Sequence, residues 1–197
     1  MPIEYEAKFL GIDKDSFRKT LEQTGYTCVL PEFLFKRHDF DLPGFGAEKW
    51  GRVRWENDKI NLSIKHTVDK NRIDGTHEFS VNVPLNDNPV QQYQQAIEFM
   101  KAAGLIPGGI RENKREIWIK DNVEISIDTW PGVRPYIEIE AENEDLVRKV
   151  CIELNLQFSK AMFGGITTVY EEELGITAED FITFENVRFD NPPKQKY

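Results

Sequence analysis

Ile3-Glu4-Tyr5-Glu6-Ala7-Lys8, near the start of the chain, returns little changed as Ile137-Glu138-Ile139-Glu140-Ala141-Glu142. Charged residues recur at every second position in both stretches. That is the period of a β-strand, in which alternate side chains point to one face. Glu4, Glu6 and Lys8 therefore share a face, and Glu138, Glu140 and Glu142 share a face of another strand. Brought together, the two Glu-x-Glu pairs would crowd four carboxylates into one place. These repel one another unless a hard divalent cation lies between them. The repeat predicts a metal site on the inner side of a sheet.

The 197 residues are enough for one domain with a real core. A chain 40% hydrophobic and 30% charged reads as soluble and globular. No apolar run reaches the length of a membrane span, and Met1-Pro2-Ile3-Glu4 lacks the form of a signal peptide, so no membrane partner is expected. Of Cys28 and Cys151, the second lies in an apolar helical stripe and reads as a buried free thiol, which suits a reducing cytoplasm. A net charge of −9 argues against a nucleic-acid partner. It leaves room for a small anion, because local clusters of Lys and Arg decide that.

Residues 2–10 read as a strand. Asp13 to Glu22 follow as a helix with Asp13 as cap and Gly25 as stop. Leu34 to Asp41 are extended, and Arg52–Glu56 with Ile60–Lys65 form a hairpin. After a polar loop from Thr67 to Gly75, His77–Val83 is a strand with Phe79, Val81 and Val83 on one face and Glu78, Ser80 and Asn82 on the other. Asn88-Pro89 opens a helix with Tyr93, Ile97 and Met100 on its stripe. Arg115–Lys120 and Val123–Thr129 make another hairpin, and Asn143 caps a third helix with the stripe Leu146, Val147, Val150, Cys151 and Leu154. The chain from Gln157 reads as irregular, with Asn191–Tyr197 a loose tail.

Most of these strands set a polar face against an apolar one. A flat sheet with helices on one side and water on the other gives that pattern. So does a closed barrel with a polar lumen and helices outside. The strand faces carry the acids Glu4, Glu6, Glu78, Asp128, Glu138 and Glu140 and the bases Lys8, Arg52, Arg54, Lys65, Lys114 and Arg115. Arg52 and Arg54 share a face, and adjacent guanidiniums suit an anion with several oxygens. A polyphosphate bridged by a divalent metal satisfies both groups.

In their order, Glu4-x-Glu6-x-Lys8, Arg52-x-Arg54, Lys65, Lys114-Arg115-x-x-Trp118, Ile127-Asp128 and Glu138-x-Glu140 resemble the CYTH superfamily, the triphosphate tunnel metalloenzymes. The resemblance covers residues 1–176 as one domain and leaves 177–197 as a C-terminal extension. It implies an α+β fold: an eight-stranded antiparallel closed barrel, the triphosphate tunnel, with helices packed outside. It further implies Mg²⁺ or Mn²⁺ held by Glu4, Glu6, Asp128, Glu138 and Glu140, and phosphate oxygens held by Lys8, Arg52, Arg54, Lys65, Arg115 and Lys160. Glu4, Glu6 and Lys65 become the catalytic candidates. Lys114 must face away from Arg115 in a regular strand and ranks below it. Lys160 stands for a basic residue that relatives carry near the end, although Gly164-Gly165 stretches the spacing. The Tyr that thiamine triphosphatases place near Phe40 is missing.

The function so implied is metal-dependent hydrolysis of tripolyphosphate, thiamine triphosphate or a nucleoside triphosphate. The alternatives are adenylate cyclisation, releasing cyclic AMP and pyrophosphate, and a non-catalytic polyphosphate- or nucleotide-binding module. A homodimer is compatible with the chain. The histidines show no ligand spacing. Trp50, Trp55, Trp118 and Trp130 read as packing groups before stacking platforms.

Overall fold

The computed structural model describes residues 3–194. The chain runs β1 (Ile3–Leu10), α1 (Lys14–Gln23), β2 (Thr27–Asp41), β3 (Lys49–Glu56), β4 (Lys59–Thr67), β5 (Thr76–Pro84), α2 (Pro89–Ala102), β6 (Ile106–Lys120), β7 (Val123–Thr129), β8 (Tyr136–Ala141), α3 (Glu144–Glu153), α4 (Ile166–Leu174), α5 (Ala178–Ile182) and β9 (Asn186–Val187). The first eight strands pair in the order β2-β3-β4-β5-β1-β8-β7-β6, and β6 pairs back onto β2. That closure makes a barrel and removes the flat-sheet alternative. Every pairing around it is antiparallel. Residue 2 at the expected start of β1, and residues 195–197 of the expected tail, lie outside the described residues.

The apolar faces point outward because helices cover them. Asp13, Asn88 and Asn143 cap α1, α2 and α3, each accepting a backbone N–H of the first turn with its side chain. Phe17 and Leu21 of α1, with Val147, Val150 and Cys151 of α3, pack on Ala7, Phe9, Ile125, Ile127, Ile137 and Ile139. Tyr93, Ile97 and Met100 of α2 pack on Phe40, Val53 and Ile60. Truncating one of these buried aliphatic groups, such as Ile139, costs about 2–5 kcal/mol. On β5, Phe79, Val81 and Val83 stay exposed, with no helix laid over them among the described residues. Among the described residues no helix is long and apolar enough to cross a membrane.

Two segments depart from the sequence reading. β2 starts at Thr27, not Leu34. Its pairing with β6 shifts register at Cys28/Leu30 and at Leu30/Phe33, so its early residues lose the alternation that marks a strand. The stretch from Gln157 holds two helices and a short strand where irregular chain was expected. Ile166-Thr167-Thr168-Val169-Tyr170 is rich in β-branched and aromatic residues, which hides a helix from pattern reading. Burial of Val169 and Tyr170 with Trp130, Ile176 and Phe181 overrides that preference.

The last segment closes one end of the barrel. β9 lies parallel to β6 at Ile110 and Arg111, beyond the stretch that β7 covers. Arg111 shares its β6 face with Asn113 and Arg115, the inner face. It reaches from there to donate to Phe184 O at 2.7 Å and Phe181 O at 3.4 Å. Its guanidinium stacks on the Phe181 ring at 5.0 Å and lies 3.6 Å from Asp39 Oδ2. Gly109 makes room for it: a Cβ there would fall 1.6 Å from Arg111 Nη1. The C-terminal segment is thus a stopper, pinned to the inner wall at the Arg111 level. The open mouth lies beside Ser80 and Asn82, which are exposed and line the lumen.

Candidate active site

The lumen encloses a cavity of about 370 Å³. β1 and β8 stand side by side with Glu6 opposite Glu140 and Lys8 opposite Glu138. The two Glu-x-Glu pairs read from the sequence therefore meet on adjacent strands, and Glu124 of β7 lies opposite Glu140 on its other side. All of these line the cavity, as do Glu4 and Glu78. Facing them are Arg37, Arg52, Arg54, Lys65 and Arg115.

Each lysine holds two of the acids. Lys8 Nζ lies 3.0 Å from both Glu6 Oε1 and Glu138 Oε2, and donates to Gly164 O at 2.6 Å. Lys65 Nζ lies 2.8 Å from Glu4 Oε2 and 2.7 Å from Glu78 Oε2. Against the cost of burial, Lys8 and Arg115 hold the Glu138 carboxyl well below the ordinary range. Lys65 and Arg52 likewise hold Glu78 down to about 2 despite its burial. Glu140 and Glu124, which no lysine holds, and Glu4 despite Lys65, behave in the opposite way. Burial first, then Glu4, Glu124 and Glu138, push Glu140 up to about 8. Burial raises Glu4 to about 7, with Lys65 opposing and Glu6 and Glu78 adding to the rise. Burial also raises Glu124.

These acids form a hard-oxygen donor set with excess negative charge, which fits Mg²⁺ or Mn²⁺. Among the described residues, no three acids converge on an ion as they stand. The reason is visible in the geometry: the lysines draw Glu6 and Glu138 one way and Glu4 and Glu78 another.

The arginines are less evenly matched. Arg115 is well paired through two of its three nitrogens: Nε lies 3.0 and 3.1 Å from the two Asp128 oxygens, and Nη2 lies 2.6 Å from Asp128 Oδ2 and 3.3 Å from Glu138 Oε1. Its pKa stands well above the ordinary value; burial works against that, and the Asp128 and Glu138 charges prevail. Arg54 pairs with Glu56, yet burial and Arg52 pull it down to about 10. Arg52 reaches only Glu78, at 3.7 Å, and its Nε has no partner. Arg37 donates to Asn113 and stacks on Trp130 at 4.6 Å. Burial, then Arg52 and Arg54, set its pKa well below the usual arginine value.

The structure thus gathers Glu4, Glu6, Lys8, Arg52, Arg54, Lys65, Arg115, Glu138 and Glu140 into one cavity. Asp128 stands behind it, fully buried, where it takes Arg115, Asn113 at 2.7 Å and Ser126 at 3.1 Å. Lys160 is not brought to the lumen; it lines a separate outer cleft of about 600 Å³ beside Arg134 and Glu173. Lys114 is exposed on the outside near Glu32. Trp50 and Trp130 line the cavity, whereas Trp118 is core and Trp55 packs on Tyr93.

Of the charged lining residues, Arg37, Glu56, Lys59 and Glu124 escaped the sequence reading. Glu124 was detectable, because it alternates with Ser126 and Asp128. Arg37 was hidden in the run Lys36-Arg37-His38-Asp39, where every residue is polar and nothing marks which side faces inward.

The CYTH domain model matches residues 2–164. The chain belongs to the CYTH family. No curated protein matches it. Solved structures do. The PH1012 protein of Pyrococcus horikoshii OT3 superposes with a TM-score of 0.64 at 20% identity, covering 81% of this chain and 94% of that one. A candidate adenylate cyclase from Vibrio parahaemolyticus gives 0.68 at 12% identity, over 86% and 98%. HpAC1 from Hippeastrum, a candidate adenylyl cyclase described as having a dominant triphosphatase activity, gives 0.50 at 15% identity, over 88% and 97%. At these identities the likeness concerns the fold.

Proposed function

We propose that this CYTH protein is a divalent-metal-dependent hydrolase of a small triphosphate, with inorganic tripolyphosphate the simplest substrate. One observation carries the reading: more than half of the residues lining the cavity are charged, and a guanidinium lies over each of its two tryptophans. Arg37 lies over Trp130 at 4.6 Å and Arg52 over Trp50 at 5.8 Å. A cyclase has to grip adenine and ribose to aim the 3′-hydroxyl. Here the surfaces suited to a base are covered by guanidiniums, while groups suited to phosphate abound.

Glu4, Glu6, Glu138 and Glu140 would hold Mg²⁺ or Mn²⁺. When bound, the cation supplies Lewis-acid polarisation of phosphoryl oxygens. Arg52, Arg54 and Arg115 hold the oxygens of the phosphate chain and offset its charge. Lys8 and Lys65, released from their carboxylates, turn to the same oxygens, so anion and cation each free partners for the other. Asp128 fixes the Arg115 fork from behind, a positioning role. A carboxyl outside the cation's grip, such as Glu124 with its raised pKa, accepts the proton of the attacking water. The protein's own tryptophans and the described activity of HpAC1 lean toward hydrolysis, while the CYTH match is common to both reactions.

The test is to incubate the protein with tripolyphosphate, thiamine triphosphate and ATP, each with Mg²⁺ or Mn²⁺, and to resolve products by phosphorus NMR. Orthophosphate released from tripolyphosphate at least as fast as from ATP is expected. Cyclic AMP with equimolar pyrophosphate, and no attack on tripolyphosphate, would overturn the proposal in favour of cyclisation.

A further inference from the structure

Arg37 is the least compensated charge in the lumen. Its side chain is buried, 6% exposed as a residue. Among the described residues no carboxylate lies within ion-pair reach of it. Its one hydrogen bond goes to the neutral Asn113 Oδ1, and its Nε has no partner. Arg54 stands directly opposite on β3 and Arg111 directly opposite on β6. Removing one partner from a buried ion pair is strongly destabilising because a charge is left bare. The fold builds that situation here, three cations in a row across β3, β2 and β6: Arg54 pairs with Glu56 and Arg111 lies 3.6 Å from Asp39 Oδ2, while Arg37 has no carboxylate in reach among the described residues.

Its position is as telling as its charge. Lys8 and Lys65 touch the acids of β1, β5 and β8, whereas Arg37 touches none of them. It sits at the stoppered end, on Trp130, which packs with Tyr170 and Phe181 of the C-terminal segment. A phosphate chain whose one end lies at the Glu4–Glu140 wall must extend along the lumen to reach Arg37.

Resting on the triphosphate reading, we infer that Arg37 binds the phosphate farthest from the acid wall and so lets the tunnel tell a triphosphate from a diphosphate. Three linked phosphates span from the carboxylates to Arg37; two leave it unpaired. The alternative is that Arg37 is a packing group, spacing Trp130 and Asn113.

The experiment is isothermal titration of wild-type protein, Arg37→Met and Arg37→Lys with methylene-bridged analogues of tripolyphosphate and pyrophosphate, each with Mg²⁺, alongside thermal melts without ligand. Met keeps the apolar stem over Trp130 and removes the charge. Arg37→Met should bind the triphosphate analogue roughly 10- to 100-fold more weakly, the size of a lost charge-assisted contact. Its affinity for the diphosphate analogue should change less than about twofold, its melting temperature should hold or rise, and Lys should restore part of the loss. Unchanged triphosphate affinity in Arg37→Met overturns the inference and leaves the triphosphate reading standing. A lowered melting temperature with equal losses for both analogues assigns the residue to packing and overturns it as well. Wild-type protein that takes up no triphosphate analogue overturns the reading itself, and the inference with it.

Discussion

At the acid wall both lysines are engaged: Lys8 spans Glu6 and Glu138, and Lys65 spans Glu4 and Glu78. Across the lumen, Arg52 has a single carboxylate at 3.7 Å and Arg37 has none among the described residues. The two walls are buried to a similar degree, the acids on β1, β5, β7 and β8 and the arginines on β2, β3 and β6, so burial alone does not explain the contrast. The acid wall is balanced from within, apart from Glu4 and Glu140, whose carboxyls favour the proton near neutral pH. On the arginine wall Arg115 and Arg54 have carboxylate partners, while Arg37 and Arg52 are left for an anion brought from outside. A site of this kind is most stable when an anion and a cation arrive together, since each relieves the wall the other leaves strained.

The sharpest way to break that contrast is at its best-compensated member. Lys8→Met leaves Glu6 without its cation and Glu138 with Arg115 alone, and we predict a loss of about 3–5 kcal/mol of stability without metal. Adding Mg²⁺ should recover part of it in a thermal melt. A melting temperature equal to wild type would mean that the acid wall is not balanced by Lys8.

Next in size is the cation site. Glu140→Gln should lower the rate of tripolyphosphate hydrolysis by at least two orders of magnitude, on the order of 3 kcal/mol in the barrier. The same change should raise the melting temperature of the metal-free protein at pH 8. The sign follows from linkage. Folded Glu140 titrates near 8 and Glu4 near 7, above the ordinary glutamate value of 4.5. The folded state then binds more protons, so the stability these groups contribute is complete below pH 4.5 and is lost as pH rises through 7 to 8. Metal-free wild type should therefore melt lower at pH 8 than at pH 5.5, and the gap should narrow with excess Mg²⁺. A metal-free protein that is more stable at pH 8 contradicts the crowding of these acids.

On the opposite wall, Arg52→Ala and Arg54→Ala should each weaken triphosphate binding by about 2–3 kcal/mol, with Lys a partial substitute because it lacks the fork. Titration calorimetry giving wild-type affinity for both variants would reduce this wall to scaffolding. The smallest effect belongs to Lys160. It lies in the outer cleft, so Lys160→Ala should change turnover less than about twofold, in keeping with ordinary surface substitutions. A large loss would mean that the segment from Gln157 to Gly165 rearranges to carry it inward.

How much of this was legible depended on alternation. In β1, β3, β4 and β8 a charged inner face against an apolar outer one showed both the strand and the direction of Glu6, Arg52, Lys65 and Glu138. On β5 the alternation was right but its apolar side faces water, because nothing in a single strand tells whether a helix will cover it. Arg37 sits where four polar residues follow one another, so the period carried no sign. Lys160 was placed by likeness of spacing alone, and the inserted Gly164-Gly165 breaks the spacing. Those glycines line the route by which the chain crosses to β1, where Met162 and Lys8 exchange backbone hydrogen bonds of 2.8 and 2.9 Å. The closing helices were illegible because Ile166–Tyr170 prefers extended backbone locally, and only contact with Trp130 decides otherwise.

Arg111 pins the tail across one end, and this governs traffic. A threaded passage admits a polymer from either side and lets it slide; a vessel with one opening does not. Whatever enters past Ser80 and Asn82 must leave the same way, so the deepest phosphate goes in first and comes out last. A long polyphosphate could insert only an end, with its surplus left trailing in solvent. If the protein hydrolyses such chains as proposed, cutting inside the vessel would trim a chain from its terminus, with the fragment length set by the depth from the mouth to the stopper.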